Sequence, residues 1–218
     1  MRYDLALPKD VAVLTGDLVN STGLGPEKVE RAFVALENCA EMQVEWMGGQ
    51  SLHFTRHRGD GWQVALAEST YALRSALCFR AALRALGGEF DSYIGIAEGS
   101  FHGEIAKNLN AETSDVFVMS GKRLDVVKSS KRQHIDHENY SPIAILADAI
   151  SSSWTRHQAK AICASLNPNL ADRPNQTELG KLLGKSRQSS SKALAAGRFW
   201  HIDLALSALE KNHANRTH

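Results

Sequence analysis

Two aspartates, Asp17 and Asp60, each stand where a short apolar strand meets a glycine-flanked turn. Asp17 lies in VAVLTGDLVNST and Asp60 in HRGDGWQVAL, 43 residues further along the chain. Glycine has no Cβ, so the backbone at Gly16, Gly59 and Gly61 can approach a phosphate closely. Two carboxylates side by side form an oxygen site for Mg²⁺ or Mn²⁺, which engage nucleotide phosphates through one or two carboxylates. We therefore expect these residues to hold a metal and a nucleotide, although either aspartate alone is more typical of an ordinary turn.

The segments around the aspartates predict alternating strands and helices. Strands are predicted at residues 11–19, 52–58, 62–67 and 93–97, and helices at residues 26–47, 69–86 and 115–127. Pro26 suits the first turn of a helix, and Asp60-Gly61 favours a hairpin turn. The order βαββαβ plus a helix predicts an α+β, ferredoxin-like domain, an antiparallel sheet with helices on one face. That arrangement would bring Asp17 beside Asp60.

Four segments in this order resemble the class III nucleotidyl cyclases, whose superfold is shared with diguanylate cyclases and polymerase palm domains. GDLVNS is similar to their first metal-binding segment, RGDGWQVAL to their metal-bearing hairpin and YIGIAEGSF to their IGI-x-x-G strand. The likeness is greatest to the SatD family of small bacterial proteins. In SDVFVMSGKRL, Asp115 and Arg123 match the spacing of an Asp and an Arg in the SatD helix segment. The resemblance covers about residues 10–150.

The resemblance implies roles for further residues. Arg123 would act on the phosphates, with Asp60, in catalysis, and Asp115 would contact the nucleotide. Arg56 falls where many adenylate cyclases carry a base-reading lysine, so it is expected at the nucleotide without identifying the base. Met119 stands where cyclases usually supply an asparagine, and a thioether cannot donate that hydrogen bond. The implied ligands are Mg²⁺ or Mn²⁺ with a nucleoside triphosphate or cyclic nucleotide, and binding fits the sequence better than cyclisation.

The composition is that of a folded protein without a membrane span. The chain has 218 residues, of which 43% are hydrophobic. No apolar run reaches the roughly 18 residues that a span needs. The start, MRYDLALPKD, lacks the basic flank and apolar run of a signal peptide. Cys39, Cys78 and Cys163 form no CxxC pair, so we expect buried free thiols in a cytoplasmic protein.

Charge is divided unevenly along the chain, although the net charge is only +1. From Trp154 onward there are ten Lys/Arg and four Asp/Glu, whereas the preceding residues hold fifteen and twenty. An acidic body with a basic C-terminal piece predicts two modules, the second with a polyanionic partner. We expect a cyclase-like domain at residues 1–140, a connecting helix at 141–166 with Leu146 and Trp154 on its buried stripe, and a DNA-binding domain at 167–218.

The C-terminal piece predicts a helix-turn-helix. Residues 176–183 and 187 onward form two helices, joined by a turn at Gly184, and Gly180 lets them cross closely. Leu179, Leu183, Leu194 and Trp200 are expected in its core. The side chains expected to reach bases and phosphates are Lys185, Ser186, Arg187, Gln188, Ser189, Ser191 and Lys192. The segment also resembles the C-terminal helix-turn-helix of some SatD-like proteins. A helical hairpin used for dimerisation is the alternative.

Three functions are compatible with these features. The first is a bacterial transcriptional regulator that binds metal and nucleotide in the cyclase-like domain and DNA in the tail, and Met119 favours sensing over turnover. The second is an active nucleotidyl cyclase or related nucleotidyltransferase making a second messenger. The third is a DNA-binding protein whose front domain is an inert scaffold. We expect a homodimer, because such DNA readers commonly use two half-sites and cyclase-like domains often place active sites between subunits.

Overall fold

The computed structural model describes residues 9–57, 59–130 and 132–214 and centres on a five-stranded sheet. The strands are β1 (Lys9–Leu18), β2 (Thr55–His57), β3 (Gly61–Leu66), β4 (Ser92–Phe101) and β5 (Ile135–His137). They lie in the order β2-β3-β1-β4-β5, and the pairs formed among β1 to β4 are all antiparallel. The ferredoxin-like order predicted for four strands is thus confirmed. Strand β5, which is short and parallel to β4, is not predicted by the sequence.

Helices cover both faces of the sheet. A single turn, α1 (Ser21–Leu24), leads into α2 (Pro26–Met42), which packs with α3 (Ala72–Arg84) on one face. Helix α4 (Asp115–Ser130) packs on the opposite face, so the prediction that the helices share one face is wrong for α4. Alternation along β1 explains the two layers, because Leu14 faces α2 and α3 while Val13 faces α4. A Cβ on Gly95 would lie 2.3 Å from the Ser120 carbonyl oxygen, so only glycine lets α4 approach β4 this closely.

The C-terminal part of the described chain is helical. Its helices are α5 (Ser141–Ser152), α6 (Arg156–Ser165), α7 (Gln176–Leu183), α8 (Arg187–Ala196) and α9 (Phe199–Ala214). The connecting helix predicted at residues 141–166 is divided in two. Trp154, at the break, is buried, and its indole Nε1 donates to the Gly197 carbonyl over 2.9 Å. Thr155 then begins α6 through a capping box with Gln158.

Two side chains expected in the helical core are exposed. Leu146 is 67% exposed and Trp200 is 51% exposed, so both predictions are wrong. Phe199, the neighbour of Trp200, is buried in its place. At the start of α9, the buried position is thus one residue earlier than predicted.

The C-terminal helices and the α2–α3 layer share one hydrophobic core. Two buried arginines of α3 join them. Arg80 Nε donates to Asp91 Oδ1 over 2.7 Å, and its Nη1 donates to Asp148 of α5. Arg74 Nε donates to Glu210 of α9 over 2.6 Å. Within the described residues, one continuous core therefore extends across the boundary predicted at residue 140.

The three cysteines converge between α2, α3 and α6. Their thiols are free, as predicted, with Sγ–Sγ distances of 3.7 Å for Cys39 and Cys78 and 3.9 Å for Cys78 and Cys163. Cys39 and Cys78 are buried, and Cys163 is partly exposed.

None of the described helices is long and apolar enough to cross a membrane.

Candidate functional site

Asp17 and Asp60 lie next to each other at the end of β1. The Cα of Asp17 pairs with Gly61 on β3 and with Tyr93 on β4. The turn before β3 places Asp60 alongside, and its carbonyl accepts a hydrogen bond from the Leu18 amide over 3.1 Å. Burial raises the pKa of Asp17, and a hydrogen bond from Lys128 opposes this effect. The charge of Asp60 and a hydrogen bond between the two carboxyl groups raise the pKa of Asp17 further. The structure thus brings the two predicted metal ligands together.

A shallow hollow of about 440 Å³ opens beside Asp60. It is lined by Ser21, Thr22, Gly25, Pro26, Val29, Gly59 and Asp60. The Ser21 hydroxyl donates to Asp60 Oδ2, which fixes that carboxylate. Gly59, predicted at the nucleotide, has φ +82° and needs to be glycine for this turn. The Thr22 hydroxyl also lines this hollow, next to the carboxylate pair.

Lys128, in the last turn of α4, is a member of the site that the sequence analysis missed. Its Nζ lies 2.6 Å from Asp17 Oδ2, and the Lys128 side chain is 45% exposed. The hydrogen bond to Asp17 is the main cause that raises the pKa of Lys128, and the charges of Asp60 and Asp125 contribute. Lys128 lies one helical turn beyond Leu124, whose amide lies against Gly95. Only the packing of α4 on β4 reveals this proximity.

Two of the glycines predicted at the nucleotide have packing roles instead. Gly16 is paired on both sides within the sheet, opposite Trp62 and Ile94. A Cβ there would lie 2.1 Å from the Trp62 indole ring, so the space beside Gly16 is filled. A Cβ on Gly61 would lie 2.7 Å from the His57 carbonyl oxygen. Close packing therefore requires glycine at both positions, and their contact with a nucleotide stays a prediction.

Arg56 is held away from the carboxylate pair. It lies on edge strand β2, where its guanidinium donates to Glu30 and Glu37 of α2 over 2.8–2.9 Å. Its Cζ also lies 4.5 Å from the centre of the Phe33 ring. The hydrogen bonds that Arg56 donates to Glu30 raise the pKa of Arg56 further above its ordinary value. The predicted contact between Arg56 and a nucleotide base is not supported, because these acids and the ring occupy the guanidinium.

Arg123 is directed toward the far edge of the sheet. Its Nη1 lies 3.5 Å from Asp136 Oδ2 on β5, the strand beyond β4. Its Nε is buried without a hydrogen-bond partner among the described residues. The structure therefore does not bring Arg123 to the Asp17–Asp60 pair of its own chain.

Asp115 and Met119 also lie apart from the pair. Val116, next to Asp115, packs against Gly99, six residues along β4 from the Tyr93 that pairs with Asp17. Six strand residues span about 20 Å, so the exposed Asp115 is at the other end of the sheet. Asp115 is therefore distant from Asp17 of the same chain, and its contact with a nucleotide stays a prediction. Met119 packs against the hydrophobic cluster beneath α4.

The side chains predicted to contact DNA lie around the α7–α8 turn. Lys185, Ser186, Arg187, Gln188 and Lys192 are exposed, and Ser189 and Ser191 are partly exposed. Ser186 accepts a hydrogen bond from the Ser189 amide over 3.2 Å and so caps α8. An open hollow of about 620 Å³ is lined by Gln176, Ser186, Arg187, Gln188, Ser191 and Lys192.

Two glycines allow α7 and α8 to pack closely against each other. A Cβ on Gly180 would lie 2.9 Å from the Lys185 carbonyl oxygen, and Gly184 has φ +61°. Leu179 and Leu194 are buried as predicted, and Leu183 is partly buried. This hairpin thus presents a polar surface with three basic side chains, Lys185, Arg187 and Lys192, on a packed support.

Comparisons with known proteins identify nucleotidyl cyclases among solved structures. No family model and no curated protein matches the chain. Two structures of a bacterial light-regulated adenylyl cyclase share 16% identity over 60% of this chain, with TM-scores of 0.43 and 0.41. The guanylyl cyclase Cya2 shares 18% identity over 53% of this chain and 71% of its own, with a TM-score of 0.35.

The chain spans less than half of the adenylyl cyclase chains, 42% and 43% of their lengths. Likeness at this level assigns no activity. Both matched proteins are nucleotidyl cyclases, the broad group that the sequence resembles, whereas SatD membership and DNA binding remain predictions.

Proposed function

We propose that the chain binds a nucleoside triphosphate through a divalent cation at Asp17 and Asp60, and that it serves nucleotidyl cyclisation or transfer. The supporting observation is the carboxylate pair itself. Two negative side chains held at a strand end and a hairpin turn repel each other. Burial is the main cause that raises the pKa of Asp17, and the charge of Asp60 adds to it. A cation between them removes that repulsion. The hollow that adjoins the pair, lined by Thr22 and Gly59 among others, would then take the phosphates.

The donor set fits Mg²⁺ or Mn²⁺. The described residues contain no group of three or more His, Cys, Asp and Glu side chains that could hold a metal alone. Mg²⁺ commonly binds through only one or two carboxylates and completes its coordination with substrate phosphates and water. When bound, such a cation would neutralise phosphate charge and orient the reacting oxygens.

The residues of this chain would have distinct tasks in that function. Asp17 and Asp60 hold the cation, and Ser21 keeps the Asp60 carboxylate oriented. Arg123 is paired with Asp136 at the far edge of the sheet, so it would act on the nucleotide of a second subunit. This assignment requires a homodimer. Sedimentation of the full chain with and without nucleotide tests it, and a monomer under both conditions would remove Arg123 from the reaction.

The central experiment is a titration of the full chain with a fluorescent nucleoside triphosphate. We expect binding at least about tenfold tighter with Mn²⁺ than with EDTA, because the carboxylates repel phosphates unless a cation intervenes. The titration is repeated with nucleoside triphosphates that carry each of the four bases, and each is then assayed for pyrophosphate release. Release identifies an enzyme, and binding without release identifies the sensor that Met119 favours. Equal binding with Mn²⁺ and EDTA would contradict the proposed metal site.

We also propose that the α7–α8 hairpin binds DNA, which would make the chain a transcriptional regulator. What supports this is the set of exposed polar and basic side chains at the start of α8, together with the basic charge of the C-terminal piece. Side chains of these types reach base edges and phosphates from the first turns of a recognition helix. The dimerisation hairpin remains the alternative.

Substitutions in α8 test this second proposal. Changing Arg187 or Gln188 to Ala should cost about 1–3 kcal/mol at a specific site, with little effect elsewhere. Lys192→Ala should weaken binding to all sequences and reduce the salt dependence, since a phosphate contact carries no base information. Lys211→Ala, on the exposed surface of α9, is the matched control. Anisotropy titrations on genomic fragments around the protein's own gene give the readout. Unchanged affinity in the Arg187, Gln188 and Lys192 triple variant would favour the dimerisation hairpin.

A further inference from the structure

Lys128 occupies the position at Asp17 that a divalent cation would need. Its ammonium lies 2.6 Å from Asp17 Oδ2 and within electrostatic reach of Asp60. The residue comes from α4, which packs on the opposite face of the sheet from α2 and α3. A single residue of one helix therefore supplies positive charge to a carboxylate pair built by β1 and the β2–β3 turn.

The surroundings allow this ammonium to move. The Lys128 side chain is 45% exposed, whereas Asp17 is only 17% exposed. Lysine is a flexible chain with a strongly hydrated point charge, so leaving Asp17 costs it little packing. The carboxylate is confined by the sheet, in which Asp17 pairs with strands on both sides. Of the two partners, the lysine is the one able to leave.

We propose that Lys128 is an exchangeable counter-ion: it neutralises Asp17 without metal, leaves when a divalent cation binds, and then contacts the phosphates of the bound nucleotide. This inference rests on the function proposed above. An ammonium and a dication repel each other at contact distance, so they do not share Asp17 Oδ2. After displacement, the lysine lies beside the anionic phosphates that accompany the metal. Lys128 is thus a positioning residue that lowers the affinity for the metal alone and raises the affinity for the nucleotide.

The opposite effects give a test with two readouts. Lys128→Met removes the competing charge, so affinity for Mn²⁺ alone, measured by the electron paramagnetic resonance of free Mn²⁺, should rise at least about threefold. Affinity for a nucleoside triphosphate at saturating Mn²⁺ should fall by about threefold or more, because a phosphate contact is lost. Lys128→Arg keeps the charge and should stay near wild type in both measurements. Lys122→Met, exposed on the same helix, is the control for helix charge and should change neither.

The outcomes separate the inference from the function on which it rests. If wild type binds Mn²⁺ and nucleotide, and Lys128→Met binds Mn²⁺ equally or more weakly, the counter-ion role is overturned while the proposed function stands. If Mn²⁺ binds only to Lys128→Met, the inference is supported strongly. Absence of Mn²⁺ and nucleotide binding in wild type and in the variant overturns both. A thermal melt of each variant shows whether any loss arises from unfolding.

Discussion

Replacing Arg80 with leucine should lower the free energy of unfolding by about 3–5 kcal/mol. Arg80 is completely buried and donates to Asp91 and Asp148, which are themselves 6% and 3% exposed. Burial alone would raise the pKa of Asp91, but the hydrogen bonds and charge of Arg80 outweigh it and lower the pKa. Without Arg80, two buried carboxylates lose their main counter-charge. Urea unfolding followed by far-UV circular dichroism measures the loss.

Two further variants define the cause. Arg56→Leu removes an arginine with two acidic partners, Glu30 and Glu37, at the surface. Solvent screens that cluster, so its unfolding midpoint should change little. The double variant Arg80→Leu, Asp148→Leu should recover part of the loss, because it leaves fewer uncompensated buried charges. A midpoint for Arg80→Leu as close to wild type as that of Arg56→Leu would contradict the role assigned to the buried network.

This network also joins the body to the C-terminal helices through contacts that the sequence does not reveal. Arg74 and Arg80 stand in α3 among apolar residues, and helical periodicity alone cannot distinguish a buried arginine from one that extends to solvent. Their partners Asp148, Asp203 and Glu210 lie at least 68 residues further along the chain. Charge counts indicated an acidic body and a basic tail, but only tertiary contacts show that both pack on α3.

Local signals succeeded where a short segment determines the structure. Pro26 begins α2, and the Asp60-Gly61 turn leads into β3. From those elements the ferredoxin-like order followed, and with it the meeting of Asp17 and Asp60. The face covered by α4 did not follow, since a helix after β4 can pack on either side of the sheet. The residue that permits this packing is Gly95. Because it has no Cβ, the α4 backbone can lie directly against β4.

The candidate site could be predicted only in part, because local sequence places strand ends but not side chains that distant elements contribute. Strand ends placed the two carboxylates correctly, because register within a sheet is set by neighbouring residues. The roles implied for Arg56 and Asp115 depended on matching short motifs, and the structure gives these side chains other surroundings. Lys128 belongs to no motif. Its approach to Asp17 depends on the length and packing of α4, which local sequence does not specify.

Asp17→Asn and Asp60→Asn should each reduce Mn²⁺-dependent nucleotide affinity by about 100-fold or more, since even residues that only support metal ligands contribute 10–100-fold. Asparagine keeps the shape of the side chain and removes its charge. Affinity measured with EDTA should not fall, because a carboxylate without metal repels phosphate. Asp10→Asn is the matched control: Asp10 lies exposed near the other end of β1, where it accepts a hydrogen bond from Ser100 over 3.1 Å.

Stability should distinguish a binding site from a structural ion pair. Burial and the charge of Asp60 raise the pKa of Asp17, so the folded protein holds this pair against repulsion. Removing one of two like charges relieves that repulsion, although Asp17→Asn also loses the contact with Lys128. We expect Asp60→Asn to melt at or above the wild-type temperature while losing metal-dependent binding. A variant that melts well below wild type would instead indicate that Asp60 serves the fold, through Ser21 and the turn, and the metal site would lose its main support.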